Sequence, residues 1–171
     1  MKGVMAGLLA LWVPLALAAE PVDLDARLRA ARHPATPVAE LERLARDPDP
    51  RVRRAVAANR RTPPDLLHRL AADADRDVRI SVATNLSTAP RTFLRLARDP
   101  DTAVRSVVAR FEYVPATALR LLAADPVPRI RLETARNWNT DAETLKRLAA
   151  SDDAEIAAAA LQSLQRLRQG D

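Results

Sequence analysis

The sequence predicts an all-α solenoid: a half-repeat cap, five 26-residue helical hairpins and a long terminal helix. Three observations carry this. First, the stretch Thr62 to Thr84, TPPDLLHRLAADADRDVRISVAT, reappears when shifted by 26 residues, as Thr88 to Arg110 and as Thr36 to Ala58. The frame runs on through Val114 and Thr140 without insertion or deletion. A fixed period of that length marks stacked helical units, none of which can bury its apolar face alone. Second, apolar residues recur at i, i+3 and i+4, as in Leu67, Leu70 and Ala71, which makes one narrow stripe on a helix. Third, the chain is 48% hydrophobic but only 3% aromatic, has 3 glycines, and is dominated by alanine, leucine and arginine. Short helices in close contact suit that composition; a β fold does not.

The first residues stand apart. Met1-Lys2 supplies a positive start, Val4 to Leu15 is an apolar run interrupted by Pro14, and Ala16-Leu17-Ala18 reads as a cleavage site. This is the layout of a secretory signal peptide over residues 1–18, leaving 19–171 as the solenoid domain. The alternative is an uncleaved anchor, for which the apolar run is short. The signal is of Sec type without a lipobox cysteine, so the mature protein is expected in the periplasm or outside the cell. The chain has no cysteine at all, which excludes disulfides, thiolate metal sites, iron–sulfur clusters and cysteine nucleophiles.

The mature chain begins with a half-repeat over residues 22–32, in which Asp23, Arg27 and Ala31 fall in phase with Asp49, Arg53 and Ala57. One helix without its partner is an N-terminal cap. Full units start at His33, Asn59, Asn85, Phe111 and Asn137. In four of them a loop precedes Thr36, Thr62, Thr88 or Thr140, which stand where a first helix is expected to be capped, with Pro37 and Pro63 just inside; the unit from Phe111 has Val114 there. Thr140 to Glu143 has the form of a capping box. The first helix carries Leu41, Leu44 and Ala45 and their counterparts. A turn such as Asp47-Pro48-Asp49 follows, whose second acid is placed to cap a second helix bearing Val52, Val56 and Ala57. Helices of about ten residues are marginal in water, so stacking must supply most of their stability. After Ile156 the last helix continues to about Gln169, with Leu161, Leu164 and Leu167 spaced to cover the end of the core.

Two rows of charge recur in phase: Arg27, Arg53, Arg79, Arg105 and Arg131, and Asp47, Asp73, Asp99 and Asp125, each acid six residues before an arginine. A row of cations suits a polyanion. A guanidinium paired with a carboxylate of its own or the next unit suits stacking register, because the fork geometry is specific. Ser151 and Ala157 replace acid and base together in the last unit, which favours register.

The pattern Leu-x-x-Leu-Ala-x-Asp-Pro-Asp-x-x-Val-Arg-x-x-Val-Ala, followed by an Asn-x-x-Thr-Pro loop, resembles the leucine-rich repeat variant family over residues 23–161. It is more distantly similar to HEAT and armadillo-type helical repeats. The resemblance implies a right-handed superhelix of alternating helices, one of each pair sometimes reduced to a 3₁₀ turn, and binding of other proteins as the usual role. Some relatives carry a cluster-binding cysteine segment, which this chain lacks.

Few residues remain to specify a function. A second basic row, Arg43, Arg69, Arg95 and Lys146 or Arg147, lies on the expected solvent side of the first helices and is broken by Leu121. Phe93 replaces a core leucine. Phe111, Tyr113 and Trp138 occupy loops of the last units, flanked by Arg110 and Arg136, and neighbouring loops should bring these rings together. Such a patch is either a binding hot spot or local repacking. His33 and His68 are paired with no nucleophile or metal-ligand spacing, and no glycine-rich phosphate loop is present. Neither catalysis, a metal nor a cofactor is expected. The function expected is a non-catalytic protein–protein interaction scaffold of the bacterial envelope or exterior. The alternative is an anionic polymer, envelope polymer or nucleic acid, held on the basic surface of this +5 chain. Export argues against nucleic acid.

Overall fold

The structure is a computed structural model describing residues 23–169; the expected signal segment, 1–18, lies outside them. Among the described residues every regular element is helical. The half-repeat is α1 (Leu24–Arg32). The pairs that follow are α2 (Val38–Leu44) with α3 (Pro50–Ala58), α4 (Pro64–Leu70) with α5 (Arg76–Ala83), and α6 (Pro90–Leu96) with α7 (Thr102–Arg110). Then come α8 (Ala116–Leu122) with α9 (Pro128–Arg136), and α10 (Ala142–Ala149) with α11 (Ala154–Gln169). The odd-numbered helices pack side by side as one layer, α1 on α3, α3 on α5 and so on to α11, and the even-numbered helices form the other. Both members of each pair are α-helices, so neither is reduced to a 3₁₀ turn.

The core lies between the layers. Leu41, Leu44, Val52, Val56 and Ala57 and their counterparts are buried, as the apolar stripe requires. Ile130 at one end of α9 joins a long core running from Ala31, whereas Ala135 at its other end joins a smaller one with Leu145, Leu148 and Ile156. The closing helix differs from expectation. Leu164 packs on the smaller core, but Leu161 and Leu167 are 52% and 46% exposed, because Ile156, Ala159, Ala160 and Ser163 form the face turned inward.

The helix ends are satisfied in a way the local sequence does not announce. The second acid of the first three turns does cap the second helix: Asp49, Asp75 and Asp101 accept from the N–H two residues on, whereas Val127 leaves α9 without a side-chain cap. The threonines do not cap the first helices. The N-cap positions of α2, α4, α6 and α8 are Pro37, Pro63, Ala89 and Pro115, with no side-chain cap, and Pro64 and Pro90 hold the first helical position. At α10 the cap is Asp141, which accepts from the Thr144 N–H at 2.8 Å, so Thr140 does not head a capping box. Instead Thr62 Oγ1 donates back to the Val56 carbonyl at 2.6 Å, and Thr36, Thr88 and Thr140 do the same to Ala30, Val82 and Thr134. A helix leaves its last carbonyls without partners, and a hydroxyl across the loop supplies one.

The loop asparagines complete the job between units. Asn85 Nδ2 donates to Ala57 O at 2.7 Å and Asn59 O at 3.0 Å in the preceding unit, while its Oδ1 accepts from the Ser87 N–H. Asn59 and Asn137 repeat the arrangement, and Ser163 Oγ, donating to Ala135 O at 2.7 Å, stands in for it on α11.

The charge ladder is a register device. Arg53 sends Nε and Nη2 to the two oxygens of Asp73 in the next unit at 2.7 and 2.8 Å, and Nη1 to the Asp47 carbonyl in its own at 2.8 Å. Arg79 grips Asp99 and Arg105 grips Asp125 through the same fork. Arg27 reaches both oxygens of Asp47 with Nη1 alone. Arg131 departs from the expected pairing: its carboxylate would sit at position 151, where Ser151 stands, so it keeps only its carbonyl bonds to Asp125 and Pro126. The acid of the last unit and the arginine before it are therefore not lost together. Burial raises the Asp73 carboxyl, but the Arg53 fork and the Asp75 N–H outweigh it, and the net position is below the ordinary carboxylate value.

Two outcomes are expected. Arg79→Leu strands Asp99, whose side chain is 4% exposed, and lowers stability by about 3 kcal/mol. Arg91→Leu breaks an exposed pair with Asp65 and costs less than about 1 kcal/mol; urea unfolding of the two variants gives the comparison. Because the folded carboxyl of Asp73 is depressed, its rung contributes fully above the unfolded carboxylate range and is lost as pH falls through the lower folded value. Urea midpoints followed below about pH 4 should therefore fall less steeply for Asp73→Asn than for the parent.

Candidate functional site

The ends of α7, α9 and α11 and the loop after α9 enclose a groove of about 560 Å³. Arg110 closes α7 and Arg136 closes α9; Trp138 stands in the loop at the position held by Arg60, Leu86 and Glu112 in other units. Leu132 and Ile156 supply an apolar floor. The loop holds its course because Asn137 is tied to Ala109 O and Phe111 O, and Asn139 Nδ2 donates to the Glu112 carbonyl and, at 3.2 Å, to Val114 O.

Glu133 sets the electrostatics of this groove. It is 8% exposed and occupies a position that is Ala55, Ser81 or Val107 in the preceding units. Its Oε2 accepts from Ser106 Oγ at 2.6 Å, and its Oε1 accepts from Arg129 Nε at 3.3 Å with Arg110 Nε 3.7 Å away. Two largely exposed guanidinium groups thus converge on one buried carboxylate, which desolvation would otherwise penalise. Arg136 pairs with Glu155 at 2.9 Å across the groove's rim. The lining offers apolar contact, an aromatic face and both signs of charge. It contains no histidine or hydroxyl nucleophile.

The expected aromatic–arginine patch separates into two. Arg110, Arg136 and Trp138 line the groove. Phe111 does not: it is half-buried, stacks on Phe93 at 5.9 Å between centroids, and meets Tyr113 edge-on at 5.7 Å. Trp138 joins neither ring. Arg166 of α11 lies over it at 4.3 Å from the centroid, a cation–π contact made possible because the closing helix runs past the loop. Tyr113 and Trp138 are 62% and 65% exposed. Glu133, Arg129 and Leu132 escaped the sequence reading. The signal was present for Glu133, since shifting by the period places a carboxylate where small or apolar residues stand.

The remaining candidates are placed elsewhere. His33 is exposed; His68 is half-buried, its Nδ1 3.1 Å from Thr92 Oγ1. In the second basic row, Arg43 pairs with Glu40 and Arg69 with Glu42, so two of its charges are locally matched. The ladder residues Asp47, Asp73, Asp99 and Asp125 are committed to Arg27, Arg53, Arg79 and Arg105 respectively. Among the described residues no group of three or more acidic or histidine side chains is placed to hold a metal ion, and no helix is long and apolar enough to cross a membrane.

Phe111→Ala should destabilise the chain by about 2–4 kcal/mol, since it removes a packed ring from the Phe93 contact. Tyr113→Ala and Trp138→Ala, at exposed positions, should each change stability by less than about 1 kcal/mol. Thermal melts that reversed this order would reverse the division into packing and surface.

Residues 25–86 match the Leucine Rich Repeat Variant domain. No curated protein matches the chain. The fold is similar to a solved structure described as a leucine-rich repeat variant with a novel repetitive protein structural motif, at 30% sequence identity and a TM-score of 0.66. That likeness covers 84% of this chain and 57% of the other, so the chain spans just over half the length of the structure it matches. By sequence over residues 25–86 and by a helical solenoid shared over 84% of its length, the chain is similar to the leucine-rich repeat variant family.

Proposed function

We propose that this protein is a non-catalytic scaffold of the bacterial envelope or exterior that binds another protein, and that the groove between α7, α9 and α11 is where it does so. The repeat fold supports an interaction role, because an extended stack offers surface rather than an enclosed pocket. The observation that carries the site is the groove itself: about 560 Å³, with Trp138 65% exposed beside Leu132 and Ile156, at the place where the units depart most from their common pattern. An exposed tryptophan with arginines around an apolar floor is the make-up of an interface anchor. The envelope location is supported by the apolar run Val4 to Leu15 and the Ala16-Leu17-Ala18 site that follows it.

Glu40 and Glu42 match Arg43 and Arg69, two cations of the second basic row, which weighs against the polymer alternative because it depends on unneutralised cations. Immobilised protein, without residues 1–18, should retain a defined protein from an envelope fraction, and retention should persist at about 0.5 M salt because the contact is largely apolar. Trp138→Ala combined with Leu132→Glu should lose that protein while its melting temperature stays within a few degrees of the parent. Retention by the double variant, or elution of everything by salt, would sink the groove reading.

A further inference from the structure

We propose that Arg131 is a carboxylate-binding site, built by the repeat and left open at its last turn by Ser151. The fold supplies its own template. In three consecutive units the arginine at this position directs Nη1 to two carbonyls of its own turn and presents Nε and Nη2 as a fork to a carboxylate twenty residues on. Arg131 repeats the first half without change. Its Nη1 donates to Asp125 O at 2.8 Å and Pro126 O at 3.2 Å, which aims the guanidinium as in the other units. The second half is missing its acid. Among the described residues Nε and Nη2 of Arg131 have no acidic partner, and they are not among the buried unpaired atoms, so they reach solvent from a half-buried side chain.

Ser151 shows that this is a change of one function and not a loss of the turn. In the other units the aspartate does two jobs: one oxygen accepts from the N–H two residues on, and both face the arginine. Ser151 Oγ keeps the first job, accepting from the Asp153 N–H at 3.2 Å. It is too short and carries no charge for the second. The turn is held, and the space in front of the fork is left open where the other units seat a carboxylate. A nearby acid does not forbid an anion there. Asp75 and Asp101, placed relative to Arg53 and Arg79 as Asp153 is to Arg131, act on those arginines alongside the seated carboxylate. The ligand class is therefore a carboxylate, offered either by a free small acid or by an acidic side chain of a bound protein segment; bidentate guanidinium geometry selects it over a spherical anion.

The test follows the arginine Nε–Hε resonances by NMR in the purified protein, without residues 1–18. Acetate should move the Arg131 signal saturably, while those of Arg53, Arg79 and Arg105 stay still as internal controls. Chloride at equal ionic strength should not reproduce the shift. Ser151→Asp should bring the Arg131 signal to the position of the other three, remove its response to acetate, and raise the melting temperature by about 2–4 °C. An acetylated Asp-Pro-Asp peptide binding tenfold or more tightly than acetate identifies a protein segment as the source of the carboxylate; equal affinity identifies a free acid. An Arg131 signal indifferent to acetate, one that answers chloride equally, or a folded Ser151→Asp variant in which it does not move would overturn the proposal. These readouts use no partner protein, so they stand or fall apart from the groove.

Discussion

A carboxylate on the turn of one unit, gripped by the guanidinium of the unit before, is the contact on which this stack depends. Helices of seven to nine residues lie below the length at which a helix holds in water, so each exists only against its neighbours. Apolar burial provides the drive but little direction, since leucine and valine stripes slide over one another at small cost. The Arg–Asp fork supplies direction. One guanidinium touches two carbonyls of its own turn and two oxygens of the next, and that set of contacts is met only when adjacent units are in step. Asn85 does the same at the opposite end of the second helix, with bonds to the unit behind and the loop ahead. Each unit is thus pinned at both ends of α5, and of α3 likewise, by polar groups whose burial would be costly without their partners.

What could be read from the residues alone follows from this arrangement. The period, the helical pairs and the pairing of the two charge rows were legible because a side chain repeated in phase keeps one environment in every unit. The fork could be anticipated from chemistry, and only its address, the next unit, came from the structure. The threonines were misread because an N-cap and a hydroxyl reaching back across a loop occupy the same place in sequence; the distinction lies in whether the preceding helix's carbonyl or the following helix's N–H is nearer. The asparagines offered no local cue, since both acceptors of Asn85 lie at least 26 residues away. At the candidate site, Trp138, Arg110 and Arg136 were visible as departures from the period. The grouping was not, because it depends on α11 running on far enough for Arg166 to take the ring of Trp138.

The departures themselves are concentrated. Phe111 replaces the loop asparagine, Val114 the threonine, Val127 the capping aspartate, Glu133 a small core residue and Ser151 the ladder acid. Each removes a tie that the earlier units keep, or adds a buried charge. Local substitutes appear beside several of them: Phe111 stacks on Phe93, Asn139 reaches the carbonyls of Glu112 and Val114, and Ser163 serves Ala135. The core is also divided here, with α9 contributing to both parts.

Random drift would scatter such losses along the chain and would not supply Glu133 with a serine and two arginines. A carboxylate at 8% exposure is unfavourable unless its partners are in place, and those partners, Ser106, Arg110 and Arg129, come from two helices. Arg110 and Arg129 are drawn toward the groove by Glu133 and would otherwise extend into water. The buried acid therefore positions the cations that line the surface, in the same way that a supporting shell orients a binding site. Regular repeats have no use for such a group, since their register is already held by the ladder. Where the ladder ends, charge has been moved from holding the stack together to shaping a surface beside it. That shift is the physical reason the last two units carry what the regular ones leave no residue free to carry.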